Sequence, residues 1–236
     1  MTVETINEES IRPITMPGVH TRFLKFFKHR TEPAGLKILD LGAGEGALTQ
    51  KLHEMGYQMQ ACDFSPEAFK FKAVHCDGVD ITLPFPYAEN SFDRVIAVEV
   101  TEHILDHENF FREIYRILKP GGKLYVSTPN ILSMKSRFRF LFQGFPYGFK
   151  PLDMNLHDGM QHVASLSLNQ YNYLALKYGF QEAEYDIDRK QSTSRWLRIF
   201  FAPLMFLSRL IKGYSPIHNR KELLLGRLLF MVFSKK

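Results

Sequence analysis

The apolar positions change period along this chain, and each change marks an element. In "GVHTRFLKFFKHR", Val19, Phe23, Phe26 and Phe27 fall at helical spacing. "LKILDL" is a short continuous apolar run, the pattern of a strand buried on both faces. "GALTQKLHEMG" returns to helical spacing and is closed by Gly56, a residue suited to a helix C-terminus. "YQMQACD" predicts a second strand, and "SPEAFKF" predicts a helix with Ser65 as N-cap and Pro66 in its first turn. "KAVHCD" and "FDRVIAVEV" predict strands three and four. "HENFFREIYRILKPGG" predicts an amphipathic helix stopped by Pro120 and two glycines, and "KLYVSTPN" predicts strand five. "SLNQYNYLALKYGF" adds a helix, "QEAEYDID" a sixth strand, and "LLFMVFSKK" a last strand at an edge or between neighbours. Strands alternating with helices imply right-handed crossovers and a mostly parallel sheet.

Residues 1–16 have no period and predict a flexible arm. Residues 17–236 read as a single α/β domain, loosened by insertions at about 131–165 and 190–219. The 236 residues suffice for one domain with a full core. The two cysteines, Cys62 and Cys76, form no C-x-x-C pair and lie in predicted strands, which fits packing roles in a reducing, cytoplasmic compartment. "MTVETINEES" is acidic and polar and lacks the pattern of a signal peptide. Hydrophobic content of 45% and charged content of 23% are ordinary for a globular chain. Charge distribution changes the picture more. Of the net +5, residues 189–236 carry eleven Lys/Arg against the single acid Glu222, so the body of the chain is acidic. A basic tail on an acidic body fits an anionic partner surface.

The candidate chemistry begins at "LDLGAGEGALTQ", between strand one and its helix. Gly42, Gly44 and Gly46 permit a tight turn and close approach to a ligand, beside the free N–H groups of a helix N-terminus. The spacing G-x-G-x-G is not the dinucleotide fingerprint, and no G-K-[ST] follows to hold phosphates. Asp40, two residues before the first glycine, suits a cationic ligand and opposes a pyrophosphate. At these residues the chain resembles the class I S-adenosylmethionine-dependent methyltransferases. Asp40 with Gly42, Gly44 and Gly46 matches that family's first motif, and Ala43 lies in the same cofactor loop. The resemblance implies S-adenosyl-L-methionine as cofactor and a doubly wound, Rossmann-like, seven-stranded sheet with both insertions over its carboxyl edge. It implies that Asp63, next to Phe64, holds the ribose hydroxyls, and that Asp80 and Ile81 frame the adenine, with Asp77 as the competing acid. "ILKPGGKLYVSTPN" matches the last helix–strand unit of the core.

Strand four ends in "VEVTEH", where ligands of open α/β sheets bind. If a helical turn starts there, Glu99, Glu102 and His103 stand at i, i+3 and i+4 and share a face. Two carboxylates and an imidazole can hold Mg²⁺ or Mn²⁺, or supply a general base for a hydroxyl. The E-x-x-E-H pattern is similar to that of the ubiquinone-pathway O-methyltransferases and the small-RNA 3′-end methyltransferases. In those a later histidine completes a metal site; His162 is the match here, with His157 as the alternative. A histidine after strand four that merely caps or packs is the structural alternative.

"RWLRIFFAPLMFLSRLIKG" is too short and interrupted to span a bilayer. Arg195, Arg198, Ala202, Met205, Arg209 and Lys212 fall on one helical stripe, and Pro203 predicts a bend. The pattern fits an interfacial helix on an anionic membrane through 195–212, or a lid helix packed on the core. "SMKSRFRFLFQGFPYGFK" is a second basic, aromatic patch, which keeps single-stranded nucleic acid as a lower-ranked partner. The expected activity is methyl transfer to a hydroxyl of a quinone, lipid or lipid-linked envelope sugar at a membrane surface. An RNA 3′-end ribose methyltransferase and a catalytically silent cofactor-binding peripheral protein are the rivals.

Overall fold

The structure, a computed structural model, describes residues 10–30, 33–164, 166–213 and 216–236. Seven strands form one sheet: β1 (Lys37–Leu41), β2 (Gln58–Asp63), β3 (Cys76–Gly78), β4 (Phe92–Val98), β5 (Leu118–Pro129), β6 (Glu184–Ile187) and β7 (Leu228–Ser234). Their order is β3-β2-β1-β4-β5-β7-β6. All pairs are parallel except those of β7, which lies between β5 and β6 and runs antiparallel to both. Helices α1 (Val19–Lys28), α2 (Ala47–Glu54), α3 (His107–Ile117), α4 (Met134–Gln143), α5 (Leu168–Lys177), α6 (Ser192–Phe200), α7 (Ala202–Lys212) and α8 (Lys221–Leu225) complete the described regular structure, together with three single 3₁₀ turns.

Strand alternation explains how the sheet is covered on both faces. Ile38, Ile96, Val98, Tyr125, Phe230 and Val232 point one way, onto Phe23, Phe26 and Phe27 of α1 and Leu48 and Leu52 of α2. Their neighbours Leu39, Val95, Ala97, Leu124, Val126 and Met231 point the other way, onto Phe110, Phe111 and Ile114 of α3 and Tyr171 of α5. Both cores are apolar, so the central strands read as continuous hydrophobic runs rather than alternating ones.

Several local expectations are corrected. "SPEAFKF" forms only a 3₁₀ turn, Pro66–Ala68. Phe69 leaves it in extended conformation and is buried, its ring edge 2.7 Å from where a Cβ on Gly46 would stand. Tertiary packing of that ring outweighs local helix propensity. Strand three is reduced to Cys76–Gly78, a short edge strand paired only with β2. Pro203 does not bend a continuous helix: α6 ends at Phe200 and α7 begins anew, with Pro203 in its first turn, where a missing N–H leaves no bond unmade. Of the expected arm, residues 1–9 lie outside the described residues. The part from residue 10 lies along the glycine loop: Arg12 N donates to Glu45 Oε2 at 2.8 Å, and Ile14 Cδ1 lies 2.9 Å from the position of a Cβ on Gly44. Cys62 and Cys76 are free and buried, as their strand positions imply.

Candidate active site

The loops at the carboxyl edge are held to one another by backbone. Gly42 N and Ala43 N both donate to the Cys62 carbonyl, at 2.8 and 3.1 Å, which ties the end of β1 to the end of β2. Gly42 has φ 74°, and a Cβ there would stand 2.6 Å from Val100 Cγ2, so only glycine fits. Asp63 spans the two loops: Oδ2 accepts from Gly44 N at 2.8 Å and Oδ1 from Ser65 N at 2.9 Å. Each oxygen keeps a second lone pair, the requirement for accepting from a diol. Phe64, beside it, is exposed. These features fit an adenosyl ligand laid across the loop.

Asp40 is placed differently. It is buried beneath the loop, accepts from Thr49 Oγ1 at 2.6 Å, and burial pushes its carboxyl up to about 6. It braces the start of α2 and does not face an open cleft. Asp77 is tied internally, its Oδ2 accepting from Gln60 Nε2 at 2.8 Å and from Tyr87 Oη at 2.9 Å. Asp80 Oδ1 caps its own loop through Thr82 N and Oγ1, at 2.9 and 2.7 Å, next to half-buried Ile81.

The acidic corner after β4 is not the single helical turn its spacing implies. Glu99 has φ 57°, a left-handed conformation that few non-glycine residues adopt. Thr101–His103 then form a 3₁₀ turn. The kink separates the two glutamates. Ligand atoms of Glu102, His103 and His162 lie within 4.8 Å of one another, and Glu99 is not part of that group. The imidazoles of His103 and His162 meet edge to face, with ring centroids 4.8 Å apart. The first insertion delivers His162, and Val163 N and Ala164 N donate to the Glu102 carbonyl, at 2.8 and 3.1 Å. His157, the alternative histidine, is exposed and lines a cavity of about 450 Å³ beside His103, with Leu105, Asp106, Leu152 and Met154.

Burial governs protonation here. Glu99 is pushed up to about 7, with the Ser127 hydroxyl opposing the rise. Glu102 is raised well above the usual carboxyl range by burial and by the charge of Glu99. His103 is lowered chiefly by burial, and His162 by burial and the neighbouring His103. Both rings are thereby kept neutral, as a metal ligand or a general base requires. The Gln161 carbonyl accepts from His103 Nδ1 at 3.1 Å; this assigns the proton to Nδ1 and leaves Nε2 its lone pair. Two atoms of the trio, Glu102 Oε1 and His162 Nδ1, are buried without a hydrogen-bond partner. Unpaired buried polar atoms are costly, so two in one cluster of oxygen and imidazole donors fit a divalent cation.

Sequence reasoning missed the residues that support this corner. Ser127 Oγ donates to Glu99 Oε1 at 2.8 Å, and Thr128 Oγ1 donates to Glu102 Oε2 at 3.3 Å. Tyr171 Oη and Thr101 Oγ1 share a buried hydrogen bond of 2.8 Å. Asp188 forms a buried ion pair with Arg227, at 2.7 Å, and lies 3.5 Å from Arg22 Nε. The one available signal was "ST" directly after the apolar run "LYV" of β5.

A family model described as "Methyltransferase domain" matches residues 39–126, the segment from β1 to β5. The ubiquinone biosynthesis O-methyltransferase of Xanthomonas axonopodis pv. citri is 36% identical over 116 residues, covering 45% of this chain and 48% of that protein. The chain thus spans about half the length of the first such relatives. The protein of the same name from Caulobacter vibrioides is 30% identical over 173 residues, 70% of this chain and 67% of that one. Among solved structures, a SAM-dependent methyltransferase from Archaeoglobus fulgidus superposes with a TM-score of 0.63 at 14% identity, covering 92% and 93% of the two chains. Phosphoethanolamine N-methyltransferase 2 of Haemonchus contortus, in complex with S-adenosyl-L-methionine, gives 0.56 at 20% identity, over 91% of this chain and 52% of that one. The glycine loop, the acid ending β2, the strand order and these relatives agree: the chain belongs to the S-adenosylmethionine-dependent methyltransferases.

Proposed function

We propose that the protein is an O-methyltransferase that acts on a hydroxyl of a quinone precursor or of another lipid-linked acceptor at a membrane surface. The observation that carries this reading is the convergence of Glu102, His103 and His162, with two unpaired ligand atoms, at the carboxyl edge next to the glycine loop. The names of the similar ubiquinone biosynthesis O-methyltransferases support oxygen as the nucleophile and a quinone-type acceptor.

S-adenosylmethionine, when bound, supplies a methyl group on a sulfonium, and Mg²⁺ or Mn²⁺, when bound, makes a neighbouring hydroxyl easier to deprotonate. The remaining tasks fall to the chain. The backbone of Gly42, Ala43, Gly44 and Gly46 would line the cofactor's amino-acid end, above Asp40. Asp63 would hold its ribose, and Phe64, Asp80 and Ile81 would flank its base. Glu102, His103 and His162 would hold the cation and the acceptor oxygen. His103 would do so through Nε2, because Nδ1 is committed to Gln161; with no cation held, the same nitrogen would take the hydroxyl proton. Fixing both reactants at one sheet edge is the main source of acceleration for such a displacement.

The membrane component rests on the second insertion. Helix α6 buries only Ser194, and α7 buries no residue. Phe200 and Ile211 are 76% and 77% exposed, and Trp196, Leu204 and Phe206 are exposed beside them. A lid packed on the core would bury such a face. Arg195, Arg209 and Lys212 are exposed with it, and no acid occurs from Arg189 to Lys221, so the surface is complementary to anionic headgroups. No described helix is long and apolar enough to cross a membrane.

Calorimetric titration with Mn²⁺ in the presence of S-adenosylhomocysteine tests the site. Binding is expected, and it is expected to disappear in Glu102→Ala; absence of binding to the unaltered protein removes the metal. Flotation with anionic liposomes tests the surface. Flotation lost in Trp196→Glu/Phe200→Glu is expected, whereas no flotation together with tight binding of single-stranded RNA favours an RNA ribose as acceptor.

A further inference from the structure

The described part of the N-terminal arm is fastened at two points on the carboxyl edge of the sheet. At the first, Arg12 N donates to Glu45 Oε2 at 2.8 Å. Glu45 is itself held by Lys70, whose Nζ lies 3.2 Å from Oε1 and whose backbone N–H donates to the Glu45 carbonyl at 3.1 Å. At the second, Arg227 Nη1 donates to Met16 Sδ at 3.4 Å, and the Met16 carbonyl accepts from Val19 N at 3.2 Å as α1 begins. Glu45 belongs to the loop after β1. Arg227 directly precedes β7, whose Leu228 pairs with Pro129 at the end of β5. With the strands ordered β1-β4-β5-β7, the segment between these anchors runs along the edge past the ends of β4 and β5. Pro13 and Pro17 restrict its backbone, which lowers the entropy lost in holding it there.

Two features of this strap have no use within the chain itself. Ile14 lies against Gly44: its Cδ1, Cγ1 and Cβ are the atoms nearest to where a Cβ on Gly44 would stand, at 2.9, 3.3 and 3.7 Å. Ile14 is nevertheless 56% exposed, so much of its apolar surface stands open beside the loop. Gly44 is also the residue whose N–H donates to Asp63, the acid that would hold the ribose. Thr15, between Ile14 and the Met16 anchor, has its Oγ1 buried without a hydrogen-bond partner. An unpaired buried hydroxyl is costly, and a ligand that bonds it removes the cost.

We propose that residues 12–16 are a strap over the cofactor, in which Ile14 covers its amino-acid chain at Gly44 and Thr15 Oγ1 hydrogen-bonds its charged end. That end carries an ammonium and a carboxylate, and a hydroxyl can accept from the one or donate to the other. This rests on the placement of the cofactor over the glycine loop given above. It adds two contacts from outside the matched methyltransferase segment, residues 39–126.

The test follows S-adenosylhomocysteine on the full chain, its affinity by calorimetry and its release rate by surface plasmon resonance. Thr15→Val is expected to weaken binding about tenfold, the scale of one lost hydrogen bond to a charged group, and Thr15→Ser to stay within about twofold. Thr15→Val also removes the unpaired hydroxyl, so the thermal midpoint of the unliganded protein is expected not to fall; a merely structural role for Thr15 would lower it. Ile14→Ala is expected to speed release about fivefold through lost apolar contact. Arg12→Pro deletes the N–H donated to Glu45, leaves the glycine loop unaltered, and is expected to speed release about threefold. Unchanged affinity in Thr15→Val, or unchanged release in Ile14→Ala or Arg12→Pro, overturns the strap and leaves the cofactor at the glycine loop. Tighter binding in Ile14→Ala also overturns it, because that side chain would then stand where the cofactor has to lie. Unaltered protein that binds no S-adenosylhomocysteine refutes the cofactor reading itself, and the strap with it.

Discussion

Gly42→Ala is the sharpest perturbation of the cofactor loop, and its size follows from two separable terms. The first is conformational. Gly42 has φ 74°, and an alanine held there costs about 1–2 kcal/mol. The second is steric. The new methyl would stand 2.6 Å from Val100 Cγ2, against an ordinary carbon–carbon contact of about 3.5–4.0 Å. Val100 is buried and directly follows Glu99, so it has little room to retreat. Overpacking of this kind costs about 1–3 kcal/mol, which makes the whole substitution worth about 2–5 kcal/mol. Equilibrium urea unfolding of Gly42→Ala, Val100→Ala and the double variant measures it. The midpoint is expected to fall in Gly42→Ala with the slope unchanged, and the double-mutant cycle is expected to show a favourable coupling of about 1–3 kcal/mol. Removing Val100's methyls relieves the clash but not the left-handed strain, so rescue is expected to be partial. A loss below about 1 kcal/mol, or zero coupling, refutes the argument that this turn is glycine-only because of Val100.

Three further outcomes test other parts of the fold. Asp188→Ala leaves Arg227, whose side chain is 3% exposed, as an uncompensated buried cation, and also removes the acceptor for Leu228 N; a loss of about 3–5 kcal/mol in thermal unfolding is expected, and less for the double variant Asp188→Leu/Arg227→Met. His20, on α1, is buried, its Nδ1 has no partner, and burial lowers its pKa from 6.5 to about 4. The unfolded chain then binds the extra proton between those values, so stability is full above about pH 6.5 and falls as pH drops toward 4, by about 2 kcal/mol at pH 5. His20→Asn is expected to flatten that limb of the urea midpoint against pH, and an unchanged slope refutes the assignment. Ser167 caps α5 in a reciprocal box with Gln170, so Ser167→Ala is expected to cost about 1 kcal/mol and Ser167→Thr much less, as read from urea midpoints.

Local rules were enough where one residue type serves one backbone need. The glycines after β1, the acid ending β2, the apolar runs of β4 and β7 and the helical spacing of α1 and α3 were legible in sequence, because turn chemistry and two-sided burial each leave a short-range pattern. Packing at a distance was not legible. "SPEAFKF" carries a good helix start, yet Phe69 is drawn over Gly46 and the helix never forms. Asp40 has the expected place in the loop, yet its side chain turns inward to Thr49. The E-x-x-E-H spacing places Glu99, Glu102 and His103 just beyond the carboxyl end of β4, but it could not say which would converge. That was decided by a left-handed residue at Glu99, by His162 returning from an insertion about sixty residues later, and by two hydroxyls on a neighbouring strand. Sequence by itself determined the elements and the edge at which they present their chemistry, because those follow from period and turn residues. Only the tertiary structure decided which carboxylate meets which partner, because side-chain direction at a strand end depends on neighbours that lie far away along the chain.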